Sequence, residues 1–438
     1  MTTSIAFLGA GLVLGASSLH AADIPPQDAA PQVRTAAATS GPRPPIVIVP
    51  GAPGTELVLA ATGERVWPSA RLMAKRDGNE LLALPIGDPL GSSIVAGRLL
   101  REVRVGGMKF RIHAYDGLEK KLRKLGYRPG DWESPSGAGE YFYFPYDWRQ
   151  SVETNGRRFS RELAAFYRRA PVDTPPAIIL GHSLGGLLAR YALMYGDTPL
   201  GETGPLPPVT WAGSAQIGTI FLIATPNDGT FIALERLEKG IFYRWHRGGF
   251  SPETLFTYPA VFDMIPGRIA PLVDGDGKAL PFDLDDPDDW ERVGWSVVDP
   301  QQDSATPYGL RREHLERELA RSTRMRAAMN QLASTPNPVT LYVVACLSRS
   351  VQRTALVTHR KGGIKVRFDA PAVGRTRLKP LLREPGDAMV PIRSLVAEGF
   401  SHDPASSLCF ARVVHSKRSH QALISSPEML EALGELLK

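Results

Sequence analysis

The chain has 438 residues, of which 43% are hydrophobic and 22% are charged, and this balance excludes an intrinsically disordered protein. The net charge of +6 is scattered over several basic segments, and no nucleic-acid-binding motif accompanies it. We therefore expect a solvated basic surface rather than a nucleic-acid interface, and a modest attraction to anionic phospholipid is compatible with it.

The first residues are typical of an export signal. An apolar run over residues 5–14 is followed by small residues and a polar, Pro-containing stretch, which predicts a signal peptide over residues 1–21 although Lys and Arg are missing before the run. Residues 22–44 predict a flexible leader. No apolar run reaches the roughly 20 residues that cross a bilayer. We expect a secreted or periplasmic protein, soluble or peripheral to a membrane.

Strand-like and helix-like segments alternate from residue 45 onward. PPIVIVPGAPGTEL has a β-branched run before a Gly/Pro turn, which is typical of an inner parallel strand. Residues 60–110 lack a clean period and predict an irregular insertion. AYDGLEKKLRKLGY predicts a helix that ends at a glycine, and GEYFYFPYDWRQ predicts a strand before Asp147.

The alternation continues to the end of the chain. Residues 156–169 predict a basic helix, PPAIILGHSLGGLLARYALMYG a strand, tight turn and helix, and IGTIFLIATPNDGT another strand. Residues 230–335 are too long for a loop and predict a cap above the sheet. Strands are predicted at 339–348 and 407–414, and a last helix begins at Ser426 and Pro427.

This order of elements predicts an α/β catalytic domain over residues 45–438. Its sheet is expected to be mostly parallel, with helices on both faces. Sheets of this kind carry their reactive groups on loops at the carboxyl ends of the strands.

Ser183 is the candidate nucleophile. Residues 181–186, GHSLGG, satisfy G-x-S-x-G between a strand and an apolar helix, which is the strained turn that exposes a reactive serine. The flanking glycines let the strand and the helix approach each other closely. The alternative is a glycine-rich helix start with a capping serine, and the context favours the nucleophile.

Two backbone amides are expected to stabilise the oxyanion that forms when an ester carbonyl is attacked. One is the amide of Leu184, which follows the nucleophile. The other is the amide of Ala52, because the neighbouring Pro50 and Pro53 have no N–H. The alternative for residues 50–54 is a plain Gly/Pro turn.

A serine nucleophile needs a histidine base and an orienting carboxylate, which follow it in the order acid, then histidine. His420 is preferred as the base because it lies between the last strand and the last helix, and His415 is the alternative. Asp387, in the turn of EPGDAMVPIRS, is preferred as the acid, and Asp228 is its rival. We expect His182, inside the turn, to pack or hydrogen-bond locally.

Cys346 and Cys409 are the two cysteines of the chain. In an oxidising compartment they could form one disulfide, and otherwise they are small core residues. No ligand cluster has metal-binding spacing, so we expect neither a metal nor an organic cofactor.

The chain resembles the lecithin:cholesterol acyltransferase-like family, an α/β-hydrolase family that includes lysosomal phospholipase A2 and phospholipid:diacylglycerol acyltransferases. The resemblance is carried, in the family's order, by IVIVPGAPGTEL, PYDWR, GHSLGG, IATPNDG, GDAMVP and HQALISSPE. It implies an α/β-hydrolase fold with Ser183, Asp387 and His420 as the catalytic triad and with the amides of Ala52 and Leu184 as the oxyanion site.

The same resemblance implies further roles. Residues 60–110, with Trp67, would form a lid that contacts membranes, and residues 147–149 would be structural. Cys346 and Cys409 lie near the family's second disulfide, which favours a bond between them, whereas residues 1–345 contain no cysteine for a lid disulfide.

The implied activity is acyl transfer from a lipid ester, a phospholipid or an acylglycerol, through an acyl-serine intermediate, with transient contact to a lipid surface. One alternative is a secreted lipase or carboxylesterase that uses only water as acceptor. Another is a catalytically inactive lipid-binding protein on the same scaffold.

Overall fold

The computed structural model describes residues 42–69, 80–100, 102–105, 108–111, 115–242, 249–267, 272–302, 304–360, 363–369, 375–397 and 403–438. The predicted signal peptide and nearly all of the predicted leader therefore lie outside the described residues. So do residues 70–79 of the predicted lid.

The described strands and helices alternate along much of the chain. The strands are β1 Ile46–Val49, β2 Thr55–Leu59, β3 Arg65–Trp67, β4 Ile94–Leu99, β5 Glu102–Val105, β6 Met108–Arg111, β7 Arg128–Pro129, β8 Glu140–Tyr143, β9 Ala177–His182, β10 Ile217–Ile223, β11 Ile241–Phe242, β12 Gly249–Phe250, β13 Leu272–Val273, β14 Ala279–Leu280, β15 Thr340–Ala345, β16 Arg349–Gln352, β17 Leu356–Arg360, β18 Gly363–Arg367, β19 Arg383–Gly386 and β20 Arg412–His415. The α-helices are α1 Asp116–Lys124, α2 Val152–Arg169, α3 Leu184–Tyr195, α4 Phe231–Lys239, α5 Pro252–Phe256, α6 Pro259–Asp263, α7 Pro287–Arg292, α8 Tyr308–Met329, α9 Arg375–Leu378, α10 Ile392–Leu395 and α11 Pro427–Leu436. Short 3₁₀ helices lie at Glu80–Leu82, Pro89–Gly91, Ser296–Val298 and His420–Ser425.

Seven parallel strands form the central sheet, in the order β20-β15-β10-β9-β1-β8-β7. The predicted parallel α/β sheet is therefore confirmed. The register pairs Ile46 with Ile178 and Val49 with Gly181, so β1 and β9 end at the same level. The loop after β1 and the turn after β9 consequently meet at one edge of the sheet.

Helices cover both faces of this sheet. Alternate side chains of each strand point to opposite faces, so each face presents apolar side chains that the helices bury. Val47 and Val49 of β1 enter the core that includes α2 and α3 residues. Ile46 and Ile48 enter a second core, on the other face, with residues of α1 and α11. All four residues are fully buried, which explains why β1 reads as a continuous apolar run.

The insertion over residues 60–110 has more regular structure than its sequence suggests. β3 and β4 flank β2 in a three-stranded antiparallel sheet, and β5 pairs with β6 in a hairpin. The region expected to be irregular therefore contains antiparallel pairing. The pairing of β4 with β2 joins segments that are distant in the sequence, which a search for local periodicity misses.

Residues 230–335 hold α4 to α8, together with short two-residue strands. The longest of these helices, α8, packs against α6 and α7 and the 3₁₀ helix at Ser296–Val298. Within the described part of the chain, no helix is long and apolar enough to cross a membrane.

Two expectations about the last strands are wrong. Both cysteines are free, so the disulfide between Cys346 and Cys409 is not formed. β15 and β20 pair Tyr342 with Arg412 and Ala345 with His415, which places Cys346 beyond one end of the pair and Cys409 before the other. This stretch alone spans roughly 10 Å, whereas a disulfide needs Cα atoms within about 7 Å of each other.

The last strand is also shorter than the predicted 407–414, because β20 begins at Arg412. Ser406 holds the residues that precede β20 in a turn. Its hydroxyl accepts a hydrogen bond from the amide of Leu408, and its carbonyl accepts one from the amide of Cys409.

Candidate active site

Ser183 lies at the tight turn between β9 and α3, the position at which the sequence predicts the nucleophile. Its backbone has φ 53° and ψ −123°, a strained conformation for a residue with a side chain. The amide of Ser183 donates to the carbonyl of Ile223, 2.8 Å away, on the neighbouring strand β10. This bond ties the strained residue to the central sheet.

The glycines around Ser183 are required by close backbone contacts. A Cβ at Gly185 would lie 2.3 Å from the carbonyl oxygen of Val49, and one at Gly186 would lie 2.0 Å from Thr225 Oγ1. Both distances are far below van der Waals contact. The glycines of GHSLGG thus let α3 start directly against β1 and β10.

The structure brings Ser183, His420 and Asp387 together. His420 Nε2 lies 3.0 Å from Ser183 Oγ, and His420 Nδ1 lies 2.7 Å from Asp387 Oδ2. An ionised carboxylate only accepts hydrogen bonds, so Nδ1 carries the proton and Nε2 is free to accept the serine proton. His420 and Asp387 are buried, whereas Ser183 remains partly accessible.

Asp387 is fixed by its own turn. Its Oδ1 accepts hydrogen bonds from the amides of Met389 and Val390, at 2.9 and 2.7 Å, while Oδ2 faces His420. Two backbone donors on one oxygen fix the orientation of the carboxylate.

The rival residues are placed differently. His415, at the end of β20, has an exposed side chain. The carboxylate of Asp228 lies 4.0 Å from Arg393, and its amide donates to the hydroxyl of Ser394. The acid that contacts the His420 ring is Asp387.

The loop after β1 passes against the nucleophile. A Cβ on Gly51 would lie 2.9 Å from Ser183 Cβ. The hydroxyl of Tyr146 donates to the carbonyl of Pro50 at 2.7 Å, and the indole N–H of Trp67 donates to the carbonyl of Pro53 at 3.3 Å. The loop that contains Ala52 is therefore held from both sides.

The amides of Ala52 and Leu184 lie on the two backbone segments that border Ser183. Neither amide donates to a protein acceptor in the part of the chain that the structure describes. Leu184 is the first residue of α3, where helix amides lack internal partners and favour negative charge.

Asp147 and Arg149 form a buried ion pair with an N–O distance of 2.7 Å. The Arg149 guanidinium also donates to the carbonyls of Leu82 and Ile94, and the indole of Trp148 donates to the carbonyl of Thr55. These contacts join the insertion to the sheet, and none of them reaches Ser183.

Sequence reasoning did not identify the residues that hold the acid turn. The hydroxyl of Thr230 donates to the carbonyl of Met389, and the Asn227 amide group donates to the carbonyl of Leu395 at 3.0 Å. Both residues follow β10 in the segment TPNDGT, whose run of turn-forming polar residues after a buried strand is the signal that could have indicated them.

The sequence led us to expect a local hydrogen bond for His182, but its bond reaches a distant segment, 238 residues away. Its Nε2 lies 3.1 Å from the backbone carbonyl of His420. Burial lowers the pKa of His182 to about 4. Among the described residues, no group of three or more His, Cys, Asp or Glu side chains could hold a metal ion.

A parallel sheet with a serine at the strand-to-helix turn after β9 defines an α/β-hydrolase, and the chain has this fold. The family model described as "Lecithin:cholesterol acyltransferase" matches residues 107–243. This match confirms the resemblance over the segment that contains PYDWR, GHSLGG and IATPNDG, and it supports an enzyme that acts on lipid esters.

One solved structure agrees with the fold. The chain is similar to one in the crystal structure of the Tle4-Tli4 complex, with 14% identity, a TM-score of 0.53 and coverage of 90% of this chain and 98% of that chain. Weaker likenesses are the mature Bacillus licheniformis lipase BlEst2 (9% identity, TM-score 0.34, 92% and 95% coverage) and the product of gene lin2722 from Listeria innocua (10% identity, TM-score 0.32, 91% and 94% coverage). No curated protein matches the chain.

Proposed function

We propose that the protein cleaves lipid esters with Ser183 as nucleophile, His420 as general base and Asp387 as the carboxylate that orients the histidine. The observation that carries this proposal is the unbroken chain of hydrogen bonds from Ser183 Oγ through His420 to Asp387. The lipid class comes from the family match.

In the first half of the reaction, Ser183 Oγ attacks the ester carbonyl carbon while His420 Nε2 takes the serine proton. Asp387 stabilises the imidazolium that results. The amides of Ala52 and Leu184 donate to the oxyanion, and each such donor contributes on the order of 3 kcal/mol in the transition state. His420 then gives its proton to the leaving alcohol, which leaves an acyl-serine.

In the second half, His420 removes a proton from an acceptor hydroxyl, and the acceptor oxygen attacks the acyl-serine carbonyl carbon. The bond from the acyl group to Ser183 Oγ then breaks, and His420 returns the proton to Ser183 Oγ. A lipid alcohol gives a new ester, and water gives a free fatty acid. The partial accessibility of Ser183 supports access of either acceptor.

The substrate class we propose is a phospholipid or an acylglycerol, reached by transient contact with a lipid surface. The export-type segment at residues 1–21 supports action outside the cytoplasm, in the periplasm or after secretion. Recovery of protein from culture medium or periplasm, with its amino terminus sequenced, tests this location.

Ser183→Ala is expected to abolish turnover of phospholipid vesicles and labelling by a fluorophosphonate. Asp387→Asn is expected to lower kcat on the order of 10⁴-fold, because the histidine loses the partner that fixes its proton. Vesicles with and without a sterol or a diacylglycerol, with products resolved by mass, identify the acceptor. A new acyl ester indicates a transferase, and fatty acid alone indicates a lipase or phospholipase.

The rivals serve as matched controls. Asp228→Asn and His415→Gln remove the alternative acid and base, and both variants should stay within a few-fold of wild type. Loss of labelling in either one would reassign the triad. A wild-type protein that binds vesicles but resists the fluorophosphonate would instead be an inactive lipid-binding protein.

A further inference from the structure

We propose that His182 is a positioning residue, whose ring holds the backbone of His420 so that the base stands over Ser183. This inference rests on the proposed function, because it assigns His182 a role in the same reaction. It adds a second histidine to the site, with a task different from that of His420.

The hydrogen bond defines the state of the ring. His182 Nε2 lies 3.1 Å from the carbonyl oxygen of His420, and a carbonyl oxygen only accepts, so Nε2 must carry the proton. The ring is buried, with 5% exposure. Burial keeps the ring neutral above a pKa of about 4, so the donor is present at neutral pH.

The ring also touches the other parts of the site. His182 precedes Ser183 in the chain, and its Nδ1 lies 3.2 Å from the position that a Cβ on Gly51 would take. Its centroid is 5.5 Å from that of His420 and 6.3 Å from that of Tyr115. The ring therefore fills the space between the loop after β1 and the segment that carries the base.

The hydrogen bond joins two segments that are far apart in the sequence, because His182 and His420 are 238 residues apart. The Ser183–His420 contact spans the same two segments. Without the His182 donor, the His420 backbone loses a fixed point next to the reacting atoms. A displacement of about 1 Å at such a site can cost on the order of 100-fold in rate.

The test compares kcat and KM of wild type, His182→Ala, His182→Gln and His182→Asn on a soluble p-nitrophenyl ester. We expect His182→Ala to lower kcat by about 10- to 100-fold with KM nearly unchanged. The Gln amide reaches the place of Nε2 and should restore most of kcat. The shorter Asn side chain should not restore it.

His314 supplies a matched control. His314 is also buried, and it lies on α8, in the region inserted after β10. Its Nε2 lies 2.8 Å from the backbone carbonyl oxygen of Phe256. His314→Ala should lower Tm in the same way as His182→Ala but leave kcat near the wild-type value. This comparison separates positioning from general destabilisation.

Three results would overturn the inference. The first is an unchanged kcat in folded His182→Ala, and the second is an equal loss of kcat in the Ala and Gln variants. The third is a pH profile of His182→Gln without its acid limb, because this would mean that His182 is the base. A wild type that neither turns over esters nor labels at Ser183 rejects the proposed function itself. Wild-type turnover with an unaffected His182→Ala rejects the positioning role alone.

Discussion

Two buried histidines donate ring protons to backbone carbonyl oxygens, His182 to His420 and His314 to Phe256. Burial lowers the pKa of His182 from 6.5 to about 4 and also lowers the pKa of His314. Between pH 6.5 and 4 the unfolded chain therefore binds more protons than the folded one. The stability that the neutral His182 ring provides is complete above pH 6.5 and is lost as the pH falls toward 4, and His314 contributes in the same direction.

For His182 this loss is on the order of 3 kcal/mol. We expect the free energy of unfolding, measured with urea at pH 7 and pH 4.5, to fall less in His182→Gln than in wild type, because Gln does not titrate. Equal falls in the two proteins would contradict the lowered pKa of His182.

At the scale of single residues, the sequence was most informative where a backbone constraint demanded a residue type. Ser183 could be located because a turn that brings α3 against β1 and β10 needs glycine at 185 and 186. The preferences for His420 over His415 and for Asp387 over Asp228 came from chain order and motif. The contact between His182 and the His420 carbonyl could not be predicted, because it joins segments 238 residues apart.

Among the elements, the turn that carries Asp387 depends on the segment after β10. Thr230 caps α4 by accepting from the amide of Ile232, and it donates to the carbonyl of Met389 two residues after the acid. One buried hydroxyl thus links a helix start to the acid turn. The sequence suggested Asp228, in the same segment, as a rival acid, but the structure ties the amide of that residue to Ser394.

Thr230→Val is expected to cost about 1–3 kcal/mol in stability, because it leaves the Met389 carbonyl unpaired and removes the helix cap. It should also lower kcat, since the Asp387 turn loses a fixed point. Thr230→Ser keeps the hydroxyl and should restore both quantities. Urea unfolding and ester turnover measure them, and a Ser variant as impaired as Val would argue against the hydrogen bond.

Over the whole molecule, the alternation of strands and helices predicted the parallel sheet but not how the region inserted after β10 is attached. Asp263, at the end of α6, accepts from the amide of Val152 at the start of α2 and from Arg321 on α8, both at 2.7 Å. Arg321 also donates to the carbonyl of Pro259. These contacts are tertiary, and no local pattern in the sequence indicates them.

Asp263→Asn is expected to lower the free energy of unfolding by about 2 kcal/mol, because it removes one of the two buried carboxylates that pair with Arg321 and leaves only Glu318. Glu435→Gln breaks the solvent-exposed pair with Arg412 and should cost at most about 1 kcal/mol. Urea denaturation compares the two. Similar small effects would mean that the buried pair does not anchor the inserted region.

The base follows β20, an outermost strand of the sheet, which pairs with β15, whereas Ser183 follows β9 in the middle of the sheet. Edge strands open by local fluctuation more readily than central strands do. Mild heating would therefore separate His420, the proton acceptor, from Ser183, the nucleophile, while the core of the sheet stays intact. Such an enzyme would lose its activity reversibly at a temperature below that of global unfolding. Cooling would restore the activity, and no refolding would be needed.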